Sequence, residues 1–434
     1  MQLNTKSITA IAVIVIVLIA GIYAMNGRQQ EAAPPAKTAG ALPPGAVMPP
    51  GHPPVSRGDQ TSPPGPVGDQ QVAQPGAQQA GQQGDLRTGK TSEDPKTKFT
   101  HFRVGNSNVK SIFIDGKEVW VGTSGGVIRY NTATDDFHFF DQKDGLLSKG
   151  VFNISKLDGR IVAGTYGGGM SLFDNVSGKW ENYNVPNGLA DAFVYRVLKA
   201  SNGDTWIATW SGANRIRGGD LKDRSKWDVF TVENTKGGLP NNWVYSLEEG
   251  KNGEMWFATE GGPARFKDGK WENWKVGAPF EKIKNDPKFG VDPAKLSEHH
   301  AQQAKEMGLE GKSGAGAYNP NYIVSLLVDP DGVVWCGTWG GGLARFDGKQ
   351  WRTYTMSDGL PGNLIFMLHR TPTGQLWIGT NNGVAVLEGN KLDGKKLKVM
   401  TTKDGLISDV VFSMATAEDG SKWLGSFGGV THLK

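Results

Sequence analysis

A single cysteine, Cys336, stands in the whole chain, so neither an intrachain disulfide nor a cysteine-based metal cluster can form. Excess charge of one sign is lacking too. The formal net charge of +4 is far from the concentrated basic face a nucleic-acid partner would require, and none is expected. Histidine is scarce. The one adjacent pair, His299 and His300, would point apart on a helix, where two metal ligands want a spacing of three or four. No cofactor or metal is expected. Large apolar residues are nearly missing from residues 26–96, a stretch of Pro, Gly, Gln and Ala such as "AAPPAKTAGALPPGAVMPPGHPP". Such a segment cannot build a core and reads as a disordered linker. As a coil of about 70 residues it would reach roughly 45 Å.

What is present falls into distinct regions. After a short N-terminus (1–7), expected to be cytoplasmic, residues 8–25 read "ITAIAVIVIVLIAGIYAM", without a charge. A helix of that length nearly crosses the hydrocarbon core. A transmembrane anchor is expected, with a cleaved signal peptide as the alternative. The expected location is the inner (cytoplasmic) membrane, single-pass, with the remainder in the periplasm or outside.

Residues 97–434 repeat. Glycine (61) and tryptophan (14) are both abundant, a combination that suits short aromatic strands joined by tight turns. A signature recurs as "VWVGT" ending at Thr123, "IVAGT" at Thr165, "TWIAT" at Thr209, "MWFAT" at Thr259, "VWCGT" at Thr338, "LWIGT" at Thr380 and "KWLGS" at Ser426. The spacings are 42, 44, 50, 79, 42 and 46 residues. All but one match the period of a four-stranded propeller blade, and the long one holds an insertion at 281–320. Within each unit a "GL" turn, an apolar strand, a "DG" or "NG" turn, the signature strand and two further strands follow in order. The expected fold is all-β, a seven-bladed β-propeller of four-stranded blades. The seventh unit lacks a fourth strand, and "KFTHFRV" (98–104) has the pattern to supply it and close the ring. Inside the insertion, "DPAKLSEHHAQQAKEMG" carries an Asp292 cap, Pro293 in the first turn and Gly308 at the stop, and so predicts a helix. It reads equally as a lid, a docking element or a surface decoration.

"DGLPGNLIFMLHRTPTGQLWIGTNNGVAVL" and "PDGVVWCGTWGGGLARFDGKQW" resemble the two-component regulator propeller repeat, over residues 98–434 apart from the insertion. The resemblance implies a propeller of the kind that serves as the extracytoplasmic sensing part of hybrid histidine kinases. No kinase or response-regulator segment is present in this sequence, so the expected output passes through a partner.

The signature tryptophans Trp120, Trp206, Trp256, Trp335, Trp377 and Trp423 recur at one position, as a packing residue between sheets would. Cys336 reads as a small buried filler beside one of them. The three glycines of "TWGGGL" follow one strand and lead into another, with no helix to make a phosphate loop. Function is sought where the repeats differ. The residue after the signature Thr opens the turn between second and third strands, and it is Tyr166, Trp210, Glu260, Trp339 or Phe427 in five units. The residue starting the first strand is Phe193, Trp243 or Tyr322 in three. These eight positions share one face and form the candidate ligand-binding set, suited to carbohydrate, peptide or a protein partner. The alternative is that the rings only pack on one another. No catalytic residue is expected: Glu260 has no evident acid partner for sugar hydrolysis, and no Ser-His-Asp arrangement follows from spacing. The expected activity is recognition at a membrane-anchored propeller, with a structural subunit of an envelope complex, or a lyase-like enzyme, as alternatives.

Overall fold

The computed structural model describes residues 89–93, 99–278, 319–392 and 397–434. The expected membrane segment 8–25, most of the linker 26–96 and nearly all of the insertion 281–320, with its expected helix, lie outside the described residues. Among the described residues the elements are strands and short 3-10 turns. None of their helices is long and apolar enough to cross a membrane.

The fold is an all-β propeller. Five repeats form separate four-stranded antiparallel sheets, in chain order, over residues 151–183, 194–230, 244–273, 319–354 and 365–400. The seven separate blades read from the sequence are therefore not found. The first and last repeats instead share one seven-stranded sheet, ordered Val411–Thr416, Lys422–Leu433, Phe99–Asp115, Glu118–Thr123, Gly126–Asn131 and Phe137–Phe140. The cause is Phe99–Asp115, a single unbroken strand of 17 residues. Its first half pairs with the C-terminal strand (Phe99↔Leu433 to Arg103↔Gly429) and its second half with Glu118–Thr123, with a register break between Arg103 and Asn108. The pairing expected of "KFTHFRV" is thus present, but it fuses two repeats. On its other side the same half-strand pairs with Gly89–Glu93, within the stretch expected to be structureless. That side would otherwise leave a row of open N–H and C=O groups.

The first strands of successive repeats pack against one another in an unbroken circuit: Phe99–Asp115, Val151–Leu157, Val194–Lys199, Val244–Glu249, Asn319–Val328, Ile365–Arg370, Val411–Thr416, and back to the start. Between the sheets lie the signature tryptophans, all buried. Trp120 stacks on Phe140 of its own repeat (5.9 Å) and leans on Phe173 of the next (5.4 Å). Trp206 reaches Phe257 and Phe266 in the same way, and Trp256 reaches Phe346 and Trp351. An arginine from the third strand covers these rings: Arg129 over Trp120, Arg215 over Trp206, Arg265 over Trp256 and Arg345 over Trp335. Each such cation–π contact is worth about 0.5–2 kcal/mol depending on its desolvation. The "R-F" pattern of the repeat therefore serves two tryptophans: Arg265 and Arg345 cover that of their own repeat, and Phe266 and Phe346 pack on that of the preceding one. Cys336 is fully buried, and burial pushes its thiol pKa well up.

The "GL" turns have a local cause. Asp141, Asn184, Thr355 and Thr401 each start a 3-10 turn, and the residue three further on closes a reciprocal capping box. Gly145, Gly188, Gly359 and Gly405 then stop the turn in the left-handed region, and the following leucine (Leu146, Leu189, Leu360, Leu406) is buried.

Candidate functional site

The signature threonine builds the turn that presents the variable residue. Thr123, Thr165, Thr209, Thr259, Thr338 and Thr380 each donate Oγ1–H to the carbonyl of a turn glycine three or four residues on, at 2.7–2.9 Å. The next residue is thereby pinned beside the start of its first strand. The Tyr166 N–H donates to Gly150 O (2.8 Å), and the Trp210 N–H to Phe193 O (3.2 Å). Asp191, buried and not picked out from the sequence, holds that strand start. It accepts the Phe193 N–H at 2.9 Å and the Ser211 hydroxyl at 2.6 Å.

The seven aromatic candidates come together. Tyr166, Phe193, Trp210, Tyr322 and Trp339 belong to one buried cluster, and Trp243 and Phe427 pack against it with part of their surface open. Sequence reasoning placed the aromatic sector mainly in the third to fifth repeats. The observed belt is longer, for a reason in the backbone. Every first strand holds a one-residue register slip, at Lys110, Phe152, Tyr195, Tyr245, Val324, Phe366 and Phe412, and Asn319–Val328 holds a second shift between Asn319 and Ile323. A bulge re-aims its side chain, and five of these seven are aromatic. They knit the expected residues into a chain of ring contacts. Tyr166 meets Phe193 at 4.4 Å, Trp210 meets Trp243 at 4.5 Å, and Tyr195 meets Tyr245 at 4.9 Å. Tyr245 meets Tyr322 at 4.8 Å, Tyr322 stacks on Trp339 at 5.6 Å, and Trp339 leads through Phe366 to Phe412 and Phe427. The first repeat contributes Lys110, whose Nζ lies 4.2 Å above the Phe412 ring. The signal was in the sequence as "VF", "VY" and "IF" dipeptides ("GVFNI", "FVYRV", "WVYSL", "LIFML", "VVFSM"). An alternating strand pattern hides it, because a bulge cannot be read from alternation.

Glu260 is the polar member. It is almost wholly buried and accepts the Tyr245 hydroxyl at 2.8 Å. Burial first, and then the charge of Glu260, pushes the phenols of Tyr245 and Tyr322 well above the ordinary tyrosine range. Burial alone does the same for Tyr166. These hydroxyls stay protonated, and that of Tyr245 donates to Glu260. The arrangement offers apolar rings, a buried carboxylate and protonated phenols, the equipment of a recognition site. Among the described residues no group of three or more His, Cys, Asp or Glu could hold a metal ion.

A profile described as the two component regulator propeller matches residues 238–261, 317–340 and 359–382. Each match runs from a "GL" or strand-start segment through the signature. The chain carries two-component regulator propeller repeats. Among solved structures these repeats are similar to the extracellular domain of BT3049 of B. thetaiotaomicron, assigned to a hybrid two component system, at 20% identity and a TM-score of 0.56. The match covers 76% of this chain and 39% of that one, so the chain spans about two fifths of the domain it resembles. Virginiamycin B lyase from Staphylococcus aureus, solved with quinupristin, is similar at 13% identity and a TM-score of 0.53, over 77% of this chain and 98% of that one. YCF48 bound to D1 peptide is similar at 12% identity and a TM-score of 0.50, over 80% and 99%. At these identities the likeness is one of fold. No curated protein matches the chain.

Proposed function

We propose that this chain is a recognition module, a sensory propeller that binds a carbohydrate or peptide on its aromatic end. The observation that carries the reading is the belt itself. Bulged and turn-borne rings from six repeats form one cluster, Glu260 accepts the Tyr245 hydroxyl within it, and Trp243 and Phe427 keep part of their surface open. A belt that served packing alone would not need a buried carboxylate, which is costly to desolvate unless hydrogen-bonded. In the same reading the shared seven-stranded sheet acts as two blades, making seven around the axis. Residues 8–25 anchor the protein in the inner membrane, and residues 26–96 let the propeller stand off it in the periplasm. The reading is non-enzymatic, and the likeness to a lyase is one of fold.

A second reading is favoured by the partly open tryptophan: a docking subunit of a membrane or envelope complex, its partner's peptide lying on the same rings. One experiment separates the two. The full chain is screened against glycans and against peptides from envelope proteins, alongside Trp243→Ala and Phe427→Ala. Glycan binding that falls at least tenfold in both variants is expected for the first reading, and peptide binding alone for the second. Binding of either kind that is unchanged in both variants overturns the use of this face.

A further inference from the structure

A gap in the inter-sheet packing sits where the ring closes. In four repeats the fourth strand carries a tryptophan at one register position: Trp180 opposite Phe173, Trp227 opposite Ile216, Trp271 opposite Phe266 and Trp351 opposite Phe346. These indoles fold into the wedge against the preceding repeat. Trp180 meets Phe140 at 5.7 Å, Trp271 meets Phe230 at 5.6 Å, and Trp351 meets Trp274 at 6.0 Å. In the first repeat the same position, opposite Tyr130, is Phe137. Phe137 is 44% exposed, against 6% for Trp180. It makes no ring contact among the described residues.

The wedge left between the first and last repeats is a cavity of about 180 Å³. Phe102, Val119, Ile128, Trp423 and Val430 line it, and Asp135 and Phe137 stand beside them. Trp423 and Phe102 stack at 5.2 Å, and Tyr130 lies 6.0 Å from Trp423, so aromatic faces line its walls. The Tyr130 hydroxyl donates to Asp135 Oδ1, and Asp135 is exposed, so its carboxylate can accept a further donor. An apolar cavity of roughly 150 Å³ is known to stay dry and to bind benzene. The repeat pattern itself shows which shape belongs here, because four of the other repeats fill the wedge with an indole.

We propose that this seam cavity is a binding site for a small planar aromatic molecule bearing one N–H or O–H donor, of the indole or phenol class. The ring occupies the position of the missing tryptophan, and the donor faces the Asp135 carboxylate. The ligand bridges Phe102 of the closing strand and Ile128 of the first repeat, so binding holds the two ends of the ring together. The site is separate from the aromatic belt and does not depend on the function proposed for it.

Indole is the probe. Calorimetric titration and thermal unfolding of the full chain are expected to show saturable binding and a rise in Tm, since a ligand bound only by the native state stabilises it. Phe137→Trp is expected to fill the wedge, raise Tm without ligand, and weaken indole binding roughly tenfold or more, the scale for adding atoms to a filled apolar pocket. Val119→Ile, a gentler change in the wall, is expected to weaken binding in the same direction while leaving the fold intact. Absence of heat and of any Tm shift up to the solubility limit of indole overturns the proposal. Equal binding by wild type and both variants overturns it too, since the indole then binds elsewhere.

Discussion

At the scale of single residues, the most exacting interaction lies at the opposite end of the inner strands from the aromatic belt. Asp329 is buried, and it accepts Arg370 Nε at 2.8 Å and the Trp335 indole N–H at 2.8 Å. One carboxylate thus ties a signature tryptophan to the neighbouring repeat. Replacing Arg370 by Met keeps much of its bulk but strands the buried charge, a loss of about 3–5 kcal/mol. Urea unfolding of Arg370→Met at neutral pH should show that loss, and a midpoint equal to wild type would mean that Asp329 is relieved some other way. The signature tryptophans could be assigned to packing from the sequence, because a residue kept at one place in almost every repeat has a repeat-level task. The roles of Thr259 and its equivalents were not visible. A threonine inside an apolar strand looks like any β-branched residue until its hydroxyl is seen closing the turn.

Among elements, the tight turn after the signature strand decides how closely the third and fourth strands approach. Gly262 sits at φ +118°, and a Cβ added there would lie 2.1 Å from the Trp274 carbonyl oxygen. Gly262→Ala should therefore cost about 1–3 kcal/mol from the conformation alone, with more from the clash, read as a lower Tm by calorimetry. A change within 0.3 kcal/mol would mean the strands can part. Strand order was legible because each repeat states it four times over in turn residues and alternation. The bulges at Phe152, Tyr195, Tyr245, Phe366 and Phe412 were not. A one-residue slip leaves composition unchanged and moves a side chain to a different neighbour. That is why the sequence located Trp210, Trp243, Tyr322 and Trp339 and missed the rings that join them.

For the whole molecule, the titration of half-buried histidines sets an acid limit. Burial lowers His369 from 6.5 to about 4, with its Nε2 held against Thr416 Oγ1 at 2.9 Å. His432, stacked on Trp423, is lowered too, by burial and by Lys434. A group whose folded pKa lies below its unfolded value binds more protons when unfolded. Stability therefore rises with pH through the interval between the two values. Stability should be fully present above about pH 6.5 and fall by up to roughly 3 kcal/mol from His369 alone as pH drops to about 4. His369→Phe should flatten that slope in urea titrations at several pH values, and an unchanged slope would place its origin elsewhere. Ring closure was foreseen from the missing fourth strand. The merging of the first and last repeats into one sheet was not, because nothing in local sequence says that Phe99–Asp115 runs on without a turn.

That continuous strand has a consequence for how the molecule is made. Phe99 and Leu433 are register partners, so the shared sheet joins an early segment of the translated chain to a late one. The five separate sheets can form in turn as the ribosome releases them, each from local pairings. The first repeat must wait with one flank open until residues 422–433 arrive. Its valines and Phe102 are the surfaces most in need of shielding during synthesis.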